Sequence, residues 1–125
     1  MKAHPNRFPG VVIGMSGGID SALSAAVAVD ALGPDRVRLV MMPSPYTSAE
    51  SLEDAELCAN MLKTGIESIN IGPAMGAFEQ MLGAAFEGRD PDIAEENIQA
   101  RSRGIILMGL SNKFGHMVLT TGNKS

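Results

Sequence analysis

An α/β fold, a doubly wound parallel sheet in three layers, is predicted by two observations. Short aliphatic and β-branched runs alternate along the chain with segments of helical period, the order that puts helices on both faces of a parallel sheet. The first run, Val11 to Ile13, passes through the Gly-rich turn Ser16-Gly17-Gly18-Ile19-Asp20-Ser21 into a helical pattern opened by Ala22, Leu23, Ala25, Ala26 and Val27. At 125 residues the chain is one domain or part of one, long enough for a core.

The remaining elements follow in order. Gly33-Pro34-Asp35 stops the first helix, and Val37 to Met42 reads as a second strand. Pro43-Ser44-Pro45 breaks that strand, and Thr47 to Ser51 form a small polar loop. Ser51-Leu52-Glu53-Asp54 has the shape of a capping box, opening a helix that runs to Thr64 with Leu52, Ala55, Ala59 and Leu62 as its apolar stripe. Gly65 closes it, and Ile66 to Ile71 is a short strand. Pro73 fits the first turn of the next helix, which carries Met75, Phe78, Met81, Leu82 and Phe86. Gly88-Arg89-Asp90-Pro91 interrupts, a long helix runs from Asp92 to Asn112, and Met117 to Thr121 forms the last strand. There is no internal repeat, low-complexity segment or interdomain linker.

The second half of the long helix is apolar on nearly every side, through Ile105, Ile106, Leu107, Met108 and Leu110. Such a helix needs burial all round. Either it lies deep in an internal core, or a further part of the domain or a partner subunit covers it.

Composition narrows the function. Fourteen acidic against ten basic side chains give a net charge of −4, so no nucleic-acid surface is expected. Few aromatics argue against stacking platforms for single strands. No stretch approaches a membrane span, and the first residues lack the apolar core of a signal peptide. A lone cysteine, Cys58, excludes an internal disulfide framework. The expectation is a soluble cytoplasmic domain.

The chemistry concentrates in residues 14–21. A strand, a Gly-rich turn and a helix N-terminus place free backbone N–H groups around one concave spot that favours phosphate. Gly17 and Gly18 permit close backbone approach or positive φ. Ser16 and Ser21 offer hydroxyl donors, and Asp20 can hold a divalent cation beside the phosphates. The loop is not a P-loop, which needs a lysine after its glycines, and Gly14, Gly17 and Gly18 miss the dinucleotide spacing. An unliganded strand-to-helix turn is the plain alternative. Further along, Asn97 and Arg101 share a helix face, whereas Arg103 is rotated roughly 200° away onto the Glu95/Gln99 face. An isolated helical arginine is ordinarily a solvated charge. Thr121 follows the last strand, on the sheet edge where ligands gather in parallel sheets.

Four blocks carry a family resemblance: Gly-Met-Ser-Gly-Gly-Ile-Asp-Ser at 14–21, Met-Pro-Ser at 42–44, Glu-Asn-Ile-Gln-Ala-Arg-Ser-Arg at 96–103 and Leu-Thr-Thr-Gly-Asn-Lys-Ser at 119–125. Together they resemble NAD synthetase, a member of the ATP pyrophosphatases with their adenine nucleotide alpha hydrolase-like fold. The first block is shared with GMP synthetase; the third and fourth point to NAD synthetase. The resemblance implies attack of the deamido-NAD carboxylate on the α-phosphate of ATP, giving an adenylate and pyrophosphate. Ammonia then displaces AMP. It implies that Gly14, Met15, Ser16, Gly17, Gly18, Ile19, Asp20 and Ser21 cradle the ATP phosphates and that Asp20 binds Mg²⁺. It makes Thr121 an ATP contact and Asn97 and Arg101 deamido-NAD contacts, with no covalent nucleophile. Family members are dimers, so a homodimer is expected.

The family's motif continues past Ser125 with a glutamate, a second metal-site or substrate-site carboxylate, and then with lysine, acidic and histidine-containing segments. The chain therefore resembles the first half of a synthetase domain, incomplete and expected to be inactive alone. Met41-Met42-Pro43, in place of Arg-Leu-Pro, and the wording Phe-Pro-Gly-Val-Val at 8–12 are closer to glutamine-dependent members. Those carry an upstream glutaminase domain with a catalytic cysteine. Cys58, mid-helix, is a core residue instead. The competing readings are another ATP pyrophosphatase such as GMP synthetase, and a non-catalytic nucleotide-binding module.

Overall fold

Four strands lie side by side in the order β3-β2-β1-β4, all parallel. The computed structural model describes residues 10–16, 18–45, 47–90 and 92–119. Within them the chain runs through β1 (Val11–Met15), α1 (Ile19–Leu32), a short 3₁₀ turn (Pro34–Arg36), β2 (Val37–Met41), α2 (Ala49–Met61), β3 (Ile66–Ser68), α3 (Gly72–Leu82), α4 (Ile93–Phe114) and β4 (Met117–Leu119). Val11 pairs with Val37 on one side and Met117 on the other, which makes β1 a central strand. The chain winds outward from β1 to β2 and β3, then returns to lay β4 on the opposite flank of β1. The end of β1 therefore borders the point where the winding reverses, the place where open parallel sheets bind ligands.

Strand alternation divides the core in two. On one face Val11, Ile13, Met15, Leu39 and Met41 meet Ala25 and Ala28 of α1 and Ala55 and Ala59 of α2. On the other, Val12, Val40 and Met42 meet Ile71 and Met75, with Ile106, Leu107 and Leu110 of α4 packed over them. Small alanines on α1 and α2 let both helices sit close to the sheet. The three-layer α/β prediction holds.

Several boundaries move. The second helix begins three residues early, because Ser48 rather than Ser51 caps it: Ser48 Oγ accepts the Ser51 N–H at 3.1 Å. Two serines one helical turn apart offer the same chemistry, and the sequence signature alone does not choose between them. The same helix ends before Gly65, on Lys63 with φ +61°. There the Thr64 N–H reaches the Ala59 carbonyl and the Lys63 N–H that of Asn60, both at 3.1 Å, the bond pair of a Schellman end. The third strand is shorter than Ile66 to Ile71, although the Ile69 and Ile71 N–H groups still reach Met41 and Pro43, each at 2.8 Å. Pro73 does sit in the first turn of α3. The long helix opens on a capping box, with the Ala94 N–H on Asp92 Oδ1 and the Asp92 N–H on Glu95 Oε1, and closes on Gly115 in the left-handed conformation.

The apolar half of α4 is not a deep core helix. Ile106, Leu107 and Leu110 pack on the sheet, but Ile105 is 63% and Met108 59% exposed. Among the described residues no helix is long and apolar enough to cross a membrane.

Candidate functional site

β1 ends at Met15 and α1 begins at Ile19, so only three residues make the turn between a central strand and a helix. Gly18 occupies the helix cap in an extended conformation, φ −87°, so the positive φ allowed for it is not used. Gly17 lies outside the described residues, as does Thr121. No side chain caps this end of α1, and its first helical bond runs from Ala22 N–H to the Gly18 carbonyl. The amides of Ile19, Asp20 and Ser21 thus stand at the positive end of the helix dipole without an intrahelical acceptor.

The two serines hold this turn together. Ser21, 2% exposed, donates its hydroxyl to the Gly18 carbonyl at 3.1 Å and accepts the Ser16 N–H at 3.3 Å. Ser16 Oγ accepts the Gly18 N–H at 3.2 Å and lies 3.2 Å from Ser21 Oγ. Because the Ser21 proton is committed to Gly18, Ser16 is the donor in that last pair. The hydroxyls expected to face a phosphate instead pre-shape the backbone that would face it. Ile19 and Asp20 are both exposed beside that backbone.

A cavity of about 280 Å³ opens at Ser16 and extends over the ends of β1 and β2. Gly14, Met15, Met41, Met42 and Leu107 give it apolar walls, while Ser16, Thr47, Ser51 and Arg103 supply polar groups. Its rim is held by Thr47, whose Oγ1 accepts the Ser44 N–H at 2.8 Å. Gly14 belongs to these walls rather than to the loop. A Cβ there would meet Met42 Cε at 2.9 Å, the flexible tip of that side chain, and Leu107 Cδ1 at 3.4 Å, an ordinary contact, so α4 packs on β1 at this point.

Arg103 is the residue that sequence reasoning missed. Its Nε–H donates to the Met42 carbonyl at 3.0 Å, which carries the half-buried guanidinium from α4 to the end of β2. Desolvation holds its pKa below the usual arginine value. The available signal was its spacing: Arg103, Leu107 and Leu110 are i, i+4 and i+7, so Arg103 shares the face that packs on the sheet.

Asn97 and Arg101 do come together, but not at the loop. With Phe78, Ile98, Ser102 and Ile105 they line a second cavity of about 270 Å³ beside α3, and both are exposed. The intervening Ser102 is buried, and its Oγ has no hydrogen-bond partner. Helix α4 is thus the wall common to both cavities.

For a metal, Asp20 offers one carboxylate at the mouth of the loop. Among the described residues no group of three or more His, Cys, Asp or Glu side chains could hold an ion unaided. That donor set fits a Mg²⁺ held largely by phosphates and water, and not a cage made by the protein.

Comparison with known proteins shows the family and the fold. The family model described as NAD synthase matches residues 2–125. A glutamine-dependent NAD(+) synthetase of Thermotoga maritima is 56% identical over 122 residues, 96% of this chain and 21% of the relative. The structure of glutamine-dependent NAD+ synthetase from Acinetobacter baumannii, in complex with adenosine diphosphate, superposes with a TM-score of 0.90 at 53% identity, over 94% of this chain and 22% of that one. The NH3-dependent NAD synthetase of Campylobacter jejuni superposes with a TM-score of 0.82 at 31% identity, over 95% of this chain and 49% of that one. The chain spans about a fifth of the length of the glutamine-dependent relatives it matches.

Proposed function

The chain belongs to the NAD synthase family, and from that premise we propose that it forms the ATP-binding part of a synthetase that amidates deamido-NAD to NAD through an adenylate. The observation that carries this reading is the continuity between the apolar cavity over β1 and β2 and the Ser16–Ser21 turn at the N-terminus of α1. A nucleotide has that same division, an apolar base at one end and an anionic tail at the other. The base lies between Met15, Met42 and Leu107, and the phosphates lie on the amides of Ile19 to Ser21, completed by Gly17. Thr121 is assigned to the same ATP.

Asp20 contributes a carboxylate to Mg²⁺. When bound, that ion neutralises charge on the reacting phosphate and the leaving pyrophosphate. Asn97 and Arg101 hold deamido-NAD in the second cavity, across α4 from the nucleotide. The amide nitrogen is ammonia, supplied in the whole protein by a glutaminase domain like that implied for the glutamine-dependent relatives. Two copies pair through the exposed Ile105 and Met108 of α4, and the protein works in the cytoplasm.

The test is a chimera in which this segment replaces the matching part of the Thermotoga maritima relative. Pyrophosphate release from ATP is expected only when deamido-NAD is added, and Asp20→Ala should lower it by about a hundred-fold or more, the loss of a charge-stabilising group. Release triggered by xanthosine monophosphate instead would identify a GMP synthetase. Turnover unaffected by Asp20→Ala would remove the metal role.

A further inference from the structure

Among the described residues Arg103 has no counter-charge. It lines the cavity over β1 and β2, whose other lining residues carry no carboxylate. The ion pair of Arg38 with Glu67 lies at the other end of the sheet. Of its five N–H donors, the Nε–H is bound by the Met42 carbonyl at 3.0 Å. That bond fixes the plane of the guanidinium, and among the described residues the four Nη protons have no protein acceptor. A half-buried guanidinium left in this state is unfavourable until an anion meets it, and its planar fork suits a phosphate.

A second electropositive feature borders the same cavity, beside the Met42 carbonyl that holds Arg103, because Met15 pairs with Met41 and Ser16 therefore follows next to Met42. There the cavity opens at Ser16 onto the uncapped N-terminus of α1. The segment of a nucleotide that meets both, between an apolar base and a phosphate tail on the α1 amides, is the phosphate joined to the ribose. We propose that Arg103 binds this phosphate through its Nη groups and so makes the site select 5′-phosphorylated nucleotides over the neutral nucleoside. The inference rests on the nucleotide-site reading above. It gives Arg103 a role separate from that of Arg101, which faces the other cavity.

Calorimetric titration with ATP, AMP and adenosine of the chimera with the Thermotoga maritima relative described above tests it. The informative variant is Arg103→Gln, because Gln Nε2 falls where Arg Nε sits and retains a donor for the Met42 carbonyl while the charge is lost. Affinity for ATP and AMP should fall about ten- to a hundred-fold, the worth of hydrogen bonds to a charged group, with adenosine affinity unchanged. Unchanged ATP affinity would overturn the proposal. So would an equal loss for adenosine, which would make Arg103 a strut for β2. Should Arg103→Gln lose its helical circular dichroism, Arg103→Lys decides: it must still prefer AMP over adenosine, and equal affinity for the two would overturn the proposal. A chimera with wild-type Arg103 but no affinity for ATP would remove the nucleotide-site reading itself, a result distinct from a failure at Arg103 alone.

Discussion

Ser21 shows how much of the loop rests on one small side chain. Its buried hydroxyl joins Ser16, Gly18 and the start of α1, so Ser21→Ala removes the hydroxyl that the Ser16 N–H donates to and leaves the Gly18 carbonyl with the Ala22 N–H alone. A loss of about 1–3 kcal/mol in urea denaturation is expected. A change within error would show that water replaces the hydroxyl. His116 is a second residue with a readable consequence. Its Nδ1 is buried without a partner, and desolvation, then the nearby Arg38 charge, push its pKa below the ordinary value of 6.5. The folded state thus binds fewer protons than the unfolded state near that pH. The associated stability is complete above the ordinary histidine range and lost as the pH falls through it. Tm measured from about pH 8 down to pH 5 should fall less steeply in His116→Gln than in the wild type. Parallel curves would remove this account.

At the scale of elements, the caps were the part of the sequence hardest to place. Ser48 and Ser51 are interchangeable on propensity, and the choice fell to Ser48 because the turn held by Thr47 and Ser44 delivers it to the helix start. Lys63 takes the left-handed C-terminal position although Gly65 stands two residues on. That position follows from where Ala55 and Ala59 must meet the sheet, which sets the phase and length of α2. A lysine is strained there, so Lys63→Gly should raise stability by about 1 kcal/mol in chemical denaturation. A decrease would show that the Lys63 side chain matters more than its backbone. In α4 the capping box at Asp92 and Glu95 and the closing Gly115 bracket a helix whose exposed and packed sides were inseparable by composition, since both are aliphatic.

At the scale of the molecule, two groups of exposed aliphatic residues stand on helix surfaces. Ile105 and Met108 stand out from α4, and Ile19, Leu23 and Val27 form one stripe along α1. Under the proposed homodimer the α4 pair is the interface. Sedimentation of the chain should then show self-association that the double substitution Ile105→Ser with Met108→Ser weakens. Identical sedimentation would place the interface elsewhere. The sequence by itself determined the layer order, the parallel sheet and the loop at the end of β1, because alternating strand and helix periods and a Gly-rich turn are local signals. Its likeness to NAD synthetase also pointed to ATP. What only the tertiary structure decided was which helix face meets which cavity. Arg101 and Arg103 are two residues apart and look equivalent in the chain, yet one lies beside Phe78 and the other reaches Met42. That division depends on the rotation of α4 over the sheet, on which Ile106, Leu107 and Leu110 pack with Leu107 lying over Gly14. Such a contact joins residues 93 positions apart, and no local pattern encodes it.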